Sequence, residues 1–258
     1  GFSPRLFRSS GIRIEKTPSA EDYPLLIKHL LTTALANSPE QEIMYRDLTR
    51  HTMRTFRERL GRLASALTSL GVKPGDTVAV MDWDSSRYLE AYFAIPMMGA
   101  VLHTINVRLS PEQLLYTIEH AEDKVILVHT DFLPLLQAIK GRITTVDKYL
   151  LLTDDGDVAN SPVSLAGEYE QLLAQASPDY VFPDFDENTR ATTFYTTGTT
   201  GLPKGVYFSH RQIVLHTLGT LVGLSSPSQG QRFHRDDVYL PLTPMFHVHA
   251  WGMPYIAT

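Results

Sequence analysis

Apolar residues along the chain follow two alternating spacings. Between Leu60 and Leu70 a leucine recurs every three to four residues until Gly71, which is the pattern of an amphipathic helix that ends at a glycine. Residues 125–128 are instead an uninterrupted apolar run (VILV), which is typical of a strand buried on both faces. Strands and helices of these two kinds alternate over most of the chain. We therefore predict an α/β fold with a doubly wound, mostly parallel sheet flanked by helices.

Polar residues indicate where several helices begin. Thr55 with Glu58 matches a capping box, Ser85 precedes an apolar helical face, and Ser110 is followed by a proline and then by Gln113. Further helices are predicted over residues 23–36, 132–139 and 165–174, and strands over residues 77–81, 101–104, 125–128, 149–152, 192–197 and 206–208.

Composition along the chain predicts three parts. Residues 1–20 are polar without periodicity and are interpreted as an N-terminal tail. Residues 21–215 are predicted to form a first α/β subdomain, and residues 216–258 the start of a second. The last eight residues, WGMPYIAT, are mostly apolar, whereas domains usually end in exposed polar segments. We therefore expect the chain to stop partway through a larger fold.

Charge and composition exclude several classes of function. The 258 residues carry a net charge of -5 with no basic run, which argues against a nucleic-acid-binding surface. There are no cysteines, so disulfides and thiolate metal sites are excluded. No apolar run approaches the roughly 20 residues needed to cross a bilayer, and no signal peptide is recognisable. A cytoplasmic protein is the prediction.

One loop carries candidate chemistry: residues 196–205, TTGTTGLPKG. Glycines allow close backbone approach, threonine hydroxyls donate hydrogen bonds, and Lys204 adds a positive charge, a combination that favours phosphate binding over a simple surface turn. A Walker A loop is disfavoured because Pro203 has no N–H and Gly205 has no hydroxyl for magnesium. The loop is also predicted to run from strand to strand, and a Walker A loop runs from strand to helix.

The same decapeptide resembles the phosphate-loop signature of the adenylate-forming (AMP-binding) enzymes. Residues 88–128 also resemble the first parallel sheet of fatty-acyl-CoA synthetases, and residues 240–255 their next core motif. The resemblance covers the chain from about residue 24 but only the first half of such an enzyme. The adenine-binding segment, the ribose-binding aspartate, the hinge and the C-terminal domain with its catalytic lysine have no counterpart here. We therefore expect an N-terminal fragment that is inactive alone.

The resemblance implies an ATP-dependent acyl-CoA ligase. Enzymes of this family join a carboxylate to AMP with Mg²⁺ and ATP, and then transfer the acyl group to coenzyme A. By position, the hydroxyl of Thr196 would lie near magnesium, and Lys204 would anchor the loop or touch phosphate. The residues implied to hold the β- and γ-phosphates are Thr196, Thr197, Gly198, Thr199, Thr200 and Gly201.

Two residues of the last segment are candidates for the acyl site. His247 falls where the family has a histidine beside the reacting carboxylate, although a buried structural histidine is the alternative. Trp251 resembles an aromatic residue at the mouth of the fatty-acid channel, with core packing as its alternative. His210, which follows the predicted helix cap Ser209, is interpreted as structural.

The same segment bears on the class of substrate. Residues 238–258 contain no acidic residue to pair with an ammonium group, which favours an apolar carboxylate such as a fatty acid over an amino acid. A ligase of an aromatic or short-chain carboxylate stays open, as does a truncated, non-catalytic nucleotide-binding or interaction module. A homodimer is a further expectation, because homodimers are common among the fatty-acyl enzymes.

Overall fold

A computed structural model describes residues 15–37, 39–45, 49–158, 160–197, 201–224 and 255. Short 3-10 helices, Thr130–Phe132 and Lys140–Arg142, lie on either side of the fifth α-helix. The α-helices are α1 (Ile27–Asn37), α2 (Met53–Ser69), α3 (Ser86–Met97), α4 (Pro111–His120), α5 (Leu133–Gln137), α6 (Tyr169–Gln175) and α7 (His210–Leu224). The strands are β1 (Glu42–Tyr45), β2 (Thr49–Thr52), β3 (Thr77–Met81), β4 (Val101–Thr104), β5 (Asp123–His129), β6 (Lys148–Leu152), β7 (Leu165–Glu168), β8 (Arg190–Thr196) and β9 (Lys204–Ser209).

Seven of these strands form one sheet in the order β7-β6-β5-β3-β4-β8-β9. The strands pair in parallel except β9, which runs antiparallel to β8 at the edge. The first two strands form a separate antiparallel hairpin. The predicted doubly wound, mostly parallel α/β fold is confirmed.

Both faces of the sheet are covered, as the continuous apolar strands predicted. Val78 and Val80 of β3 belong to one hydrophobic cluster and Ala79 and Met81 to another, because successive side chains of a strand point to opposite faces. Helices α1, α2, α3, α6 and α7 contribute to the first cluster, and α4 and α5 to the second. Because β3 continues into α3 on one face while β4 continues into α4 on the other, the carboxyl ends of the central strands form a topological switch point.

Side-chain caps fix the beginnings of several helices. The hydroxyl of Ser85 accepts the N–H of Tyr88 at 3.1 Å, and Ser110 with Gln113 forms the complete capping box that the sequence predicted. Ser209 and Gln212 form the same reciprocal pair before α7, with distances of 3.1 and 2.9 Å. These contacts set where each helix leaves the sheet.

Three predicted helix starts were wrong. The helix predicted to follow Tyr23 begins only at Ile27. The cap of α2 is Thr52, whose hydroxyl accepts the N–H of Thr55 at 3.2 Å, so Thr55 lies within the helix. The helix predicted over residues 165–174 begins only at Tyr169, where Glu168 accepts the N–H of Gln171 at 2.9 Å. Residues 165–168 instead form the edge strand β7, because pairing with β6 outweighs their local preference.

The division at residue 215 stays a prediction. This position lies within α7, and the residues after 224, apart from Tyr255, lie outside the described part of the chain. Tyr255 itself is buried beside α3, where its hydroxyl donates to the carbonyl of Tyr92 at 2.9 Å.

Candidate phosphate-binding site

The phosphate-loop candidate is the connection of an antiparallel hairpin. In the register of β8 and β9, Tyr195 pairs with Gly205 and Thr196 with Lys204, which is the pair nearest the loop. The loop therefore runs from strand to strand, as predicted. Because β8 is parallel to the central strands, the loop begins at the carboxyl edge of the sheet, where ligands of open α/β sheets bind.

The described loop residues present polar groups to solvent. Thr196, Thr197 and Lys204 are exposed, whereas Pro203 is buried. Directly opposed residues of an antiparallel pair project to the same face, so the hydroxyl of Thr196 and the ammonium of Lys204 emerge side by side. Gly201 has a φ of 100°, a left-handed conformation that favours glycine. The remaining candidates, Gly198, Thr199 and Thr200, lie outside the described residues.

A tyrosine ring fills the base of the hairpin. A Cβ atom placed on Gly205 would lie 3.3 Å from Cε1 of Tyr195 and 3.4 Å from the hydroxyl of Tyr207. Position 205 therefore admits a side chain only if these rings shift. The glycine that closes the sequence signature has a packing role here, in addition to any contact with a ligand.

Tyr195 is also the centre of a polar cluster that sequence reasoning missed. Its hydroxyl oxygen lies 2.7 Å from Nδ1 of His120, at the end of α4, and its ring lies 5.2 Å from that of His103. Burial, together with the neighbouring Tyr207 and Asp123, raises the pKa of Tyr195 well above its ordinary value. The hydroxyl therefore stays protonated at neutral pH.

A buried histidine–aspartate pair lies beside this cluster. Nδ1 of His103 lies 2.8 and 2.9 Å from the two carboxylate oxygens of Asp123, and both residues are inaccessible to solvent. Burial raises the pKa of Asp123, although His103 opposes the effect. The signal available in the sequence was a histidine inside a short strand that was predicted to be buried, VLHT.

A second polar cluster lies where β3, β5 and β6 end. Arg87 donates to the carbonyl of Thr153 and to the carboxylate of Asp154, which also lies 3.2 Å from His129. Burial raises the pKa of Asp82 to about 6, against the opposing charge of Arg87. These contacts tie together three neighbouring loops at the carboxyl edge of the sheet.

Two further predicted site residues fall in the last segment of the chain. His247 and Trp251 lie outside the described residues, so their roles stay predictions. Within the described ranges, no group of three or more histidine or acidic residues is placed to hold a metal ion. No helix in the described part of the chain is long and apolar enough to cross a membrane.

His210 is structural, as interpreted from the sequence. It is fully buried, and its Nδ1 accepts the backbone N–H of Ile27 at 3.3 Å, which links α7 to the start of α1. Burial lowers the pKa of His210 to about 4.

Fold and loop together define a doubly wound α/β protein of the adenylate-forming class. Residues 31–258 match the family model described as AMP-binding enzyme, and the chain belongs to this family.

Its relatives include ligases that act on fatty acids. The chain is 42% identical to a medium-chain-fatty-acid–CoA ligase of Ectopseudomonas oleovorans over 82% of its own length and 38% of the ligase. It is 41% identical to a long-chain-fatty-acid–CoA ligase of Thermus thermophilus over 96% of its length and 44% of the ligase. ATP-bound MatB from Rhodopseudomonas palustris superposes with a TM-score of 0.73 at 26% identity, over 91% of this chain and 43% of that one. The chain thus spans less than half the length of these relatives.

Proposed function

We propose that this chain supplies the phosphate-binding loop and part of the acyl pocket of an ATP-dependent acyl-CoA ligase. The ligase activates a fatty acid as its acyl-adenylate, with release of pyrophosphate, and then transfers the acyl group to the thiol of coenzyme A. The observation that carries this proposal is the hairpin at the carboxyl edge of the sheet, where Thr196 and Lys204 stand opposite each other and both are exposed.

The chemistry assigned to the loop is charge neutralisation and positioning. An ammonium group and several hydroxyl and backbone donors suit the β- and γ-phosphates, whose negative charge must be held while the α-phosphate reacts. Lys204 supplies the charge, and the loop from Thr196 to Gly201 supplies the donors. The hydroxyl of Thr196 is a hard oxygen donor of the kind that Mg²⁺ prefers. The family relationship supports ATP and coenzyme A as co-substrates.

The fatty-acid assignment is the finer part of the proposal. It is supported by the two fatty-acid ligases among the relatives and by the absence of acidic residues from positions 238–258. In this proposal His247 orients the reacting carboxylate and Trp251 lines the acyl channel. Homodimer formation and a cytoplasmic location stay predictions.

Lys204→Ala tests the role of the loop. In the natural full-length polypeptide, this change should weaken ATP binding and slow adenylation without lowering the melting temperature, because the side chain is exposed. Lys148→Ala is the matched control, since Lys148 is exposed at the opposite, amino edge of the sheet. ATP affinity and adenylation that are both unchanged in Lys204→Ala would remove the loop from the proposed role.

Pyrophosphate exchange with different acids tests the substrate. Faster exchange with medium- or long-chain fatty acids than with aromatic or short-chain acids is the expected result. The reverse order would replace the fatty acid by the alternative carboxylate. Absence of exchange with every acid, in a protein that still binds ATP, would favour the non-catalytic nucleotide-binding module.

A further inference from the structure

Tyr195 holds both ends of the phosphate loop. It is the last residue of β8 before the exposed pair Thr196 and Lys204, and its partner across the ladder, Gly205, follows Lys204 directly. The Tyr195 ring is 7% exposed and lies against Gly205 so closely that a Cβ there would be 3.3 Å away. The ring is therefore in contact with the backbone on both sides of the loop.

One hydrogen bond connects that ring to a different part of the fold. The hydroxyl of Tyr195 meets Nδ1 of His120 at 2.7 Å, and the two rings contact edge to face with centroids 5.6 Å apart. His120 is the last residue of α4, a helix whose start is fixed by the Ser110 capping box and whose apolar face is buried. This hydrogen bond therefore attaches the β8–β9 hairpin to α4. The strand that follows α4 is β5, which lies three places from β8 in the sheet order β5-β3-β4-β8.

The other side of the ring is rigid. His103 packs 5.2 Å from the Tyr195 ring and is 1% exposed, and its hydrogen bonds with Asp123 leave it a single orientation. The ring thus has the His103 imidazole and the backbone of Gly205 as close neighbours. The hydroxyl of Tyr195 is held by His120 and also by Tyr207 of the neighbouring strand β9.

We propose that Tyr195 and His120 are positioning residues, whose hydrogen bond holds the ends of the loop in the conformation that receives the phosphates of the nucleotide. This inference rests on the proposed function of the loop. Neither residue needs to touch the nucleotide, because the effect passes through the paired backbone of residues 195–196 and 204–205.

The test removes the hydrogen bond from either side in the natural full-length polypeptide. Tyr195→Phe keeps the ring and deletes only the hydroxyl, and His120→Ala alters an exposed side chain whose loss should not prevent folding. Each should raise the Kd for ATP about three- to tenfold, the range that one lost hydrogen bond gives. Melting temperatures should change by no more than a few degrees. Tyr149→Phe is the matched control, since Tyr149 lies in β6, with β5, β3 and β4 between it and β8.

Two further variants separate positioning from general support. His120→Asn places an amide where Nδ1 was and should restore ATP affinity close to that of the wild type. The double variant Tyr195→Phe/His120→Ala should bind ATP no more weakly than Tyr195→Phe alone, because Tyr195→Phe already removes the bond with His120.

Failure of this inference differs from failure of the proposed function. Wild-type affinity in both single variants, or losses that simply add in the double variant, would overturn the positioning role while ATP binding by the wild type stands. A wild-type protein that does not bind ATP would overturn the proposed function and this inference with it.

Discussion

Acidification should destabilise the protein through one buried histidine, His210. Burial disfavours the imidazolium and lowers the pKa of His210 from the ordinary 6.5 of a histidine to about 4. Its Nδ1 must be unprotonated to accept the N–H of Ile27. Between these two values the unfolded chain binds more protons than the folded one. The stability that the neutral histidine contributes is therefore complete above pH 6.5 and is lost as the pH falls towards 4.

The size of the effect follows from the shift. A difference of this size, at about 1.4 kcal/mol per pKa unit, corresponds to about 3 kcal/mol in all, of which about 2 kcal/mol is lost between about pH 7 and 4.5. Urea unfolding of the wild type and of His210→Asn over this range measures it. The asparagine oxygen can still accept the Ile27 N–H but does not titrate, so the variant should lose about 2 kcal/mol less than the wild type.

A second variant controls for titration elsewhere. His216→Asn makes the same exchange at an exposed position of the same helix and serves as the matched control in the unfolding measurement. If His210→Asn and the wild type lose the same stability on acidification, His210 does not have the lowered pKa and the reasoning is wrong.

Three further substitutions follow from the packing. Gly205→Ala should cost about 1–3 kcal/mol of stability and weaken ATP binding, because its Cβ would press on tyrosine rings 3.3–3.4 Å away. Gly141→Ala is the control, since a Cβ there has nothing within 4 Å, and it should change neither property. Unfolding and ATP-binding measurements compare the two variants. Asp82→Asn should raise the melting temperature at pH 7.5, because the raised pKa of Asp82 makes the native state lose stability as the pH climbs from 3.8 through about 6. A difference in melting temperature between variant and wild type that is the same at pH 4 and at pH 7.5 would contradict this. Gly61→Ala should lower the melting temperature most of all, since its Cβ would fall 2.2 Å from the backbone carbonyl oxygen of Pro178, and near wild-type melting would show that this backbone can yield.

The sequence predicted best those elements whose local pattern agrees with their burial. Strands β3 and β4 were predicted with the bounds that the structure has. Short, mainly apolar segments between turn residues are too short for helices, so in an alternating α/β chain they are expected to form buried strands. The Ser110 cap was also correct, since a serine, a proline and a glutamine at the right spacing act locally. The loop at residues 196–205 was found because its composition is unusual and because it resembles a family signature.

Contacts between distant parts of the chain could not be predicted in this way. Strand β7 exists because β6 offers it a partner, and nothing within residues 165–168 shows that. The hydrogen bond between Tyr195 and His120 joins residues 75 positions apart, so no local pattern carries it. A tyrosine before the loop and a histidine at a helix end are each ordinary when considered alone.

The sheet order also has a consequence for the order of folding. Strand β8 joins the sheet by pairing with β4, and the paired residues Leu102 and Thr192 are separated by the whole of β5, β6, β7 and their helices. Contacts of such long range form slowly, because closing so long a loop costs entropy before the contacts contribute. The hairpin that carries the loop should therefore dock late, after the strands from β3 to β6 have assembled. During refolding, ATP binding would then be among the last native properties to return, and would report that the whole sheet is complete.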